Sequence, residues 1–430
     1  MAKTLQDLHL ADLHARAAEL GVPGYRLLRR DQLVAEITER DGDAVAVEEE
    51  PESRQSKRSG RERRAKPERE RLEDAETEEV VGVLEVTSQR YGFLRFSGLA
   101  SKEDDVYVSA SQIRRCELRS GDEVGGPARA PRRGERHRAL VHVDRVNGGE
   151  PSTEERPAFE DLTPVLPKRR VAIGEPSDVL ARAVDLLTPL ALGQRVLIKA
   201  APRSGRTTLL RSLAGAVAGQ EGLEMIVLLI DERPEEATAW DAELPGCEVV
   251  SATADLPPSD QVRVAELATE RARRLAESGK DTVLIVDSLS RLAVASASAT
   301  GSSQASDVAL VKTLFGSGRE LGEEDTGSLT VIATVVEGAE DDGAAERAVV
   351  TTESSLITLD PELAAAGVFP ALRVAETRLS NEDELREPDE LAAIRRLRSL
   401  LADLDPAGAA NLLRERIDSS ATNAELLTDL

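Results

Sequence analysis

Four short apolar runs in the second half of the chain constrain its fold most: VLIKA (196–200), MIVLLID (225–231), TVLIVD (282–287) and LTVIAT (329–334). A half-buried strand alternates apolar and polar residues, whereas these are apolar at nearly every position, so both of their faces must be covered. Stretches of helical periodicity separate them. Strands alternating with helices in this way predict a parallel sheet flanked by helices, an α/β domain. From about Asp383 to the end the spacing of Leu and Ile predicts helices alone.

In an open parallel sheet, ligands collect at the carboxyl ends of the strands. The first run leads into AAPRSGRTT (200–208), which approximates the phosphate-binding pattern G-x-x-x-x-G-K-[ST], with Ala200 for the first Gly and Arg206 for the Lys. Such a loop holds phosphates on backbone N–H groups and a helix N-terminus, and its Thr hydroxyl (Thr207) holds Mg²⁺. The second run ends in Asp231-Glu232 and the third in Asp287. An Asp there can hold Mg²⁺ through water, and a Glu can orient or deprotonate an attacking water. Ordinary strand-end helix caps are the bland alternative.

Upstream, short alternating segments between Val80 and Asn147, separated by Gly and charged turns, predict a small antiparallel β-barrel. Only nine of the 430 residues are aromatic, and four of them fall between Tyr91 and Tyr107. Phe96 and Tyr107 could simply fill the barrel core. Residues 4–38 predict a small helical hairpin broken at GVPG (21–24), and 41–79 a polar linker that turns basic between Arg54 and Lys66. The net charge of −24 confines any nucleic-acid contact to a local patch. Two cysteines exclude a disulfide framework or a Cys-based zinc site, and no apolar run spans a membrane. The chain opens MAKTLQDLHL, without a signal-peptide core, so a cytoplasmic location is expected.

The segments VLLIDERPEE (227–236), VAELATERARRL (264–275), VLIVDSLSRLA (283–293), LFGSGRE (314–320), GSLTVIAT (327–334) and GVFPAL (367–372) resemble the transcription termination factor Rho family. So do AFEDLTPVLP (158–167) and LALGQRVLI (190–198). The barrel is similar to that family's RNA-binding domain through GVLEV (82–86), RYGFLR (90–95), DDVYVSASQIRR (104–115) and LRSGDEV (118–124). The resemblance implies a helical N-terminal domain (1–40), the linker (41–79), an OB/cold-shock-like RNA-binding barrel (80–150), a connector (151–175) and a RecA-like ATPase domain with C-terminal helices (176–430). It implies a homo-hexamer with ATP sites between subunits, single-stranded RNA as ligand, and RNA polymerase or another Rho as a further partner. By the same resemblance the phosphate loop is Arg203, Ser204, Gly205, Arg206, Thr207 and Thr208, with Ala191, Leu192, Gly193, Gln194, Arg195 and Val196 beside it. Glu232 becomes the catalytic carboxylate, Asp287 the Mg²⁺-associated one, and Arg233 a further nucleotide contact. RNA contacts fall to Tyr91, Phe93, Tyr107 and the cations Arg95, Arg114, Arg115 and Arg119.

Three departures stand against this background. Arg206 replaces a compact point charge with a broad planar fork. Pro361 and Gly367 occupy places where the family carries Arg, and no Lys or Arg lies between Arg347 and Arg373. The stretches expected to line a central pore, 301–304 and 337–342, are neutral or acidic, with Glu340, Asp341 and Asp342. The function expected is an ATP-hydrolysing, RNA-translocating termination factor. The alternative is a hydrolysis-deficient paralogue that binds RNA or regulates.

Overall fold

The computed structural model divides into two compact units, residues 1–67 and 68–430. It describes residues 20, 34, 37 and 38, and 77–429 apart from 154–155, 175–176, 302–307 and 339–342. Most of the helical hairpin and of the linker, and residues 302–304 and 339–342 of the expected pore stretches, lie outside the described residues, so the second unit is the subject here.

Six strands build the barrel: β1 (Thr77–Val86), β2 (Gly92–Arg95), β3 (Val106–Val108), β4 (Glu123–Arg129), β5 (Arg138–Leu140) and β6 (Arg145–Val146). The order β1-β2-β3-β5-β4 closes on itself through β1–β4 pairing, which removes free edges, and β6 flanks β4. β1 starts at Thr77, three residues ahead of the expected boundary. Leu84, Leu94, Val106, Val108 and Val124 fill the barrel with no solvent exposure. Between β3 and β4 lies a short helix, Ala110–Arg115, started by a capping box in which Ser109 and Gln112 satisfy each other's backbone N–H. The Gln112 amide also donates to the carbonyls of Leu140 (3.1 Å) and Val141 (3.2 Å), tying this helix to β5.

The second layer is a nine-stranded sheet. Its strands are β7 (Pro164–Val165), β8 (Arg195–Ala200), β9 (Leu223–Glu232), β10 (Glu248–Thr253), β11 (Asp281–Asp287), β12 (Arg319–Leu321), β13 (Ser328–Val336), β14 (Ser355–Thr358) and β15 (Arg378–Leu379). The main path runs β10-β9-β11-β13-β8-β14-β15, with β12 and β7 off β13. All neighbours from β10 to β14 are parallel; β15 caps the edge antiparallel. Alternate residues of each apolar run enter different cores. Ile198, Val227, Ile285 and Ile332 face one; Leu197, Leu228, Leu284 and Val331 face the other. Burying each such side chain removes apolar surface worth about 1.5–3 kcal/mol, which is why the runs lack alternation.

Barrel and sheet domain share a packed seam. Val83 and Leu99 leave the barrel to join the core beneath the helix Pro258–Glu277. Gly121 (φ +87°) approaches that helix so closely that a Cβ would sit 2.3 Å from the carbonyl carbon of Glu270. Arg271 adds an ion pair to Glu123 at 2.7 Å.

Candidate functional sites

The carboxyl edge of the sheet assembles the first site. β8 ends at Ala200, and the chain turns through residues 201–205 into the helix Arg206–Val217. Arg203 (φ +64°) and Gly205 (φ +94°) make this turn left-handed; glycine adopts the second without cost, and it forms the N-cap of the helix. Ser204, fully buried, donates to the Ala201 carbonyl at 2.7 Å and closes the loop. Arg203 and Thr208 face solvent, and Thr207 is half-buried on the first helical turn.

Strand β13 separates β8 from β11, so a side chain from the loop must cross it to reach Asp287. Arg206 has the length to do so. Its Nη2 donates to Glu232 Oε1 at 3.2 Å, and its Nε lies 3.2 Å from Asp287 Oδ1. Arg291 forms a second ion pair with Glu232 Oε1. Thr334, on the intervening strand, donates to Asp287 Oδ1 at 2.9 Å. Burial pushes the Asp287 carboxyl above its usual range, and Glu232 adds to this; Arg206, the Thr334 hydrogen bond and Arg291 oppose it. Two carboxylates and two guanidiniums thus balance each other. Arg233 projects into solvent beyond Glu232, and neither its guanidinium nor that of Arg203 has a hydrogen bond or ion pair among the described residues.

Ala191–Gln194 lead into β8, Arg195 and Val196 are its first two residues, and the loop leaves its other end after Ala200. Their polar atoms serve local structure: Gln194 accepts from the Ala191 N–H at 3.0 Å, and Arg195 donates to the carbonyls of Thr352 (2.5 Å) and Gly318 (2.8 Å). In 359–370, which holds Pro361 and Gly367 in place of Arg, Asp360 caps the helix Pro361–Ala365 and pairs with Arg373 at 2.9 Å.

The second site is a cleft of about 690 Å³ on the barrel. Tyr91, Phe93 and Tyr107 meet there with ring centroids 5.6–6.1 Å apart, because β2 and β3 pair Phe93 directly with Tyr107. His137 stands edge-on to Phe93 at 5.0 Å. Arg115, Arg129, Arg132 and Arg136 rim the cleft. Tyr107 therefore belongs to the cleft, while Phe96 packs on the barrel core. The basic turn RRGER (132–136) and His137 were not expected here; that turn, next to a strand, was the available signal.

Not every expected cation is open. Arg95 is 5% exposed, with its guanidinium on Glu85 (2.6 Å), Asp105 and Ser101 (3.1 Å) and 5.2 Å from the Phe93 ring centroid. It braces the cleft from behind and cannot at the same time be a free phosphate contact. Arg119 is held by the carbonyls of Arg156 and Pro157. Arg114 is exposed on the Ala110–Arg115 helix but does not line the cleft. Glu135 receives two hydrogen bonds from Arg129, 2.6 and 2.8 Å, which with the Arg132 N–H pull its carboxyl down to about 2.

No helix is long and apolar enough to cross a membrane, and no cluster of three His, Cys, Asp or Glu side chains suited to a metal occurs, both among the described residues.

The family "Rho termination factor, RNA-binding domain" matches residues 80–152, and "Rho termination factor, N-terminal domain" matches 4–42. The nucleotide-binding domain of the ATP synthase alpha/beta family matches 181–377. In solved structures, an ATPase of the type III secretion system of pathogenic bacteria aligns with a TM-score of 0.53 and 22% identity, covering 67% of this chain and 93% of that one. The assembled ATPase EscN of enteropathogenic E. coli gives 0.51 at 22% identity, covering 67% and 79%. These two show the fold. Transcription termination factor Rho of Rhodopirellula baltica is 39% identical over 364 residues, 80% of this chain and 70% of that protein. The Pseudomonas fluorescens Rho is 38% identical over 81% and 87%, and the Mycobacterium bovis Rho 36% over 90% and 69%. The chain belongs to the transcription termination factor Rho family.

Proposed function

We propose that this chain is a Rho-type termination factor that binds single-stranded RNA in the barrel cleft and ATP at the phosphate loop, working as a homo-hexamer on nascent transcripts. What carries the reading is the presence, in one chain, of an open aromatic cleft rimmed by Arg and a phosphate loop facing two strand-end carboxylates. Stacking on Tyr91, Phe93 and Tyr107 is worth about 1–3 kcal/mol per base and tolerates sequence variation. Arg115, Arg132 and Arg136 meet the RNA backbone, with Arg114 on the adjoining helix. At the loop, Arg203 and Arg233 are the open cations for phosphate, Glu232 orients or deprotonates the attacking water, and the Arg206–Val217 helix N-terminus adds its dipole. Thr207 and Asp287 are the oxygen donors at which the resemblance puts Mg²⁺, and Arg206 already pairs with Asp287 there.

The test is release of RNA from a stalled bacterial elongation complex on addition of the protein and ATP. ATP-dependent release is the expected result; RNA that is bound yet never released overturns the reading. One observation favours a second reading, nucleotide bound without turnover: Arg206 already pairs with both carboxylates that hydrolysis requires.

A further inference from the structure

Arg206 is only 16% exposed, so it lies folded onto the sheet edge instead of extending from its helix into solvent. The Lys of the usual loop would bring a single nitrogen, a compact point charge. The planar fork of Arg206 brings Nε to Asp287 and Nη2 to Glu232 together. With Arg291 on the other side of Glu232, the two carboxylates are matched by two fixed positive charges. Asp287, at 2% exposure, already accepts from Thr334 on the same oxygen that Arg206 contacts. A divalent cation at Asp287 would enter beside a fixed guanidinium at close range, in a setting where water screens little. Phosphate has its own partners a few residues away, since Arg203 and Arg233 stand in solvent without an ion pair among the described residues.

We propose that Arg206 is the resident cation of this site, so that the chain binds adenosine triphosphate without needing Mg²⁺. The inference rests on the nucleotide-binding half of the reading above and is independent of whether the bound nucleotide turns over. Arg206 acts here in place of the metal by neutralising Asp287 and Glu232, and the phosphates of the nucleotide are met by the guanidiniums of Arg203 and Arg233.

The experiment is ATP binding to the full chain by titration calorimetry, once with Mg²⁺ and once with excess EDTA, for the natural protein and for Arg206→Lys. The expected result is an affinity for the natural protein that differs by less than about fivefold between the two buffers, and a larger loss in EDTA for Arg206→Lys. A larger loss for the natural protein overturns the proposal, as does an absence of ATP binding in both buffers. If Arg206→Lys proves as insensitive to EDTA as the natural chain, Arg206 is not what replaces the metal and the proposal also fails. Should that variant not fold, the natural protein's two titrations still decide. Transcript release with EDTA-sensitive binding sinks this inference and spares the termination reading; EDTA-insensitive binding without release does the reverse.

Discussion

The barrel cleft and the nucleotide site handle charge in opposite ways. In the barrel, the structural cations are paired out of sight, Arg95 with Asp105 and Glu85, and Arg119 with backbone carbonyls. The cleft itself keeps Arg115, Arg132 and Arg136 exposed on its rim, beside a cluster of three aromatic rings. At the sheet edge Arg206, Arg291, Glu232 and Asp287 engage each other, while the flanking Arg203 and Arg233 stay open. Sequence charge follows the same division. Residues 80–150 carry 12 basic and 10 acidic side chains, while 181–377 carry 17 and 31. A polyanion is thereby directed to the barrel, in a chain whose net charge of −24 would otherwise repel it.

Four changes would break or sharpen this contrast. The largest effect is expected from Glu232→Ala: loss of the group that orients water lowers RNA-stimulated phosphate release by about 10²–10⁴-fold, while RNA affinity in a filter-binding assay stays unchanged. A release rate equal to that of the natural protein would remove Glu232 from catalysis. Next comes Arg95→Ala, which leaves the fully buried Asp105 without its counter-charge. Breaking such a pair costs about 3–5 kcal/mol, read by denaturant unfolding, and RNA affinity falls with it because Phe93 loses the group behind it. Phe93→Ala or Tyr107→Ala should then weaken RNA binding by about 1–3 kcal/mol each without changing ATP affinity. An equal loss of ATP affinity would mean that the two sites are not separate.

The smallest effect concerns pH. Arg129 holds the Glu135 carboxyl at about 2 instead of the usual 4.5. A depressed carboxylate contributes stability that is present above 4.5 and lost as pH falls toward 2. Melting temperature should therefore decline a little more steeply over that window in the natural protein than in Glu135→Gln. The difference is small because the Glu135 side chain is 40% exposed and water screens the pair.

Much of the architecture was legible from residue pattern, because burial on both faces leaves an unbroken apolar run such as TVLIVD (282–287). The placement of Asp231-Glu232 and Asp287 at one edge followed from parallel pairing, which puts all carboxyl ends together. The aromatic cluster was visible because aromatics are so scarce. Pairing between side chains was not visible. Nothing local marks Arg95 as buried and Arg115 as open, since the difference lies in Glu85 and Asp105 arriving from other strands. Arg291 and Thr334 were missed for the same reason: each meets its carboxylate only across the sheet edge.

The central claim, that an open RNA cleft and a hydrolytic edge operate in one molecule, is tested most directly by ATP turnover of the purified chain with and without a pyrimidine-rich single-stranded RNA. The account predicts phosphate release that rises with RNA and disappears in Glu232→Ala. RNA binding with full affinity and no RNA-stimulated release would contradict it, and would leave the barrel as the working part of the protein.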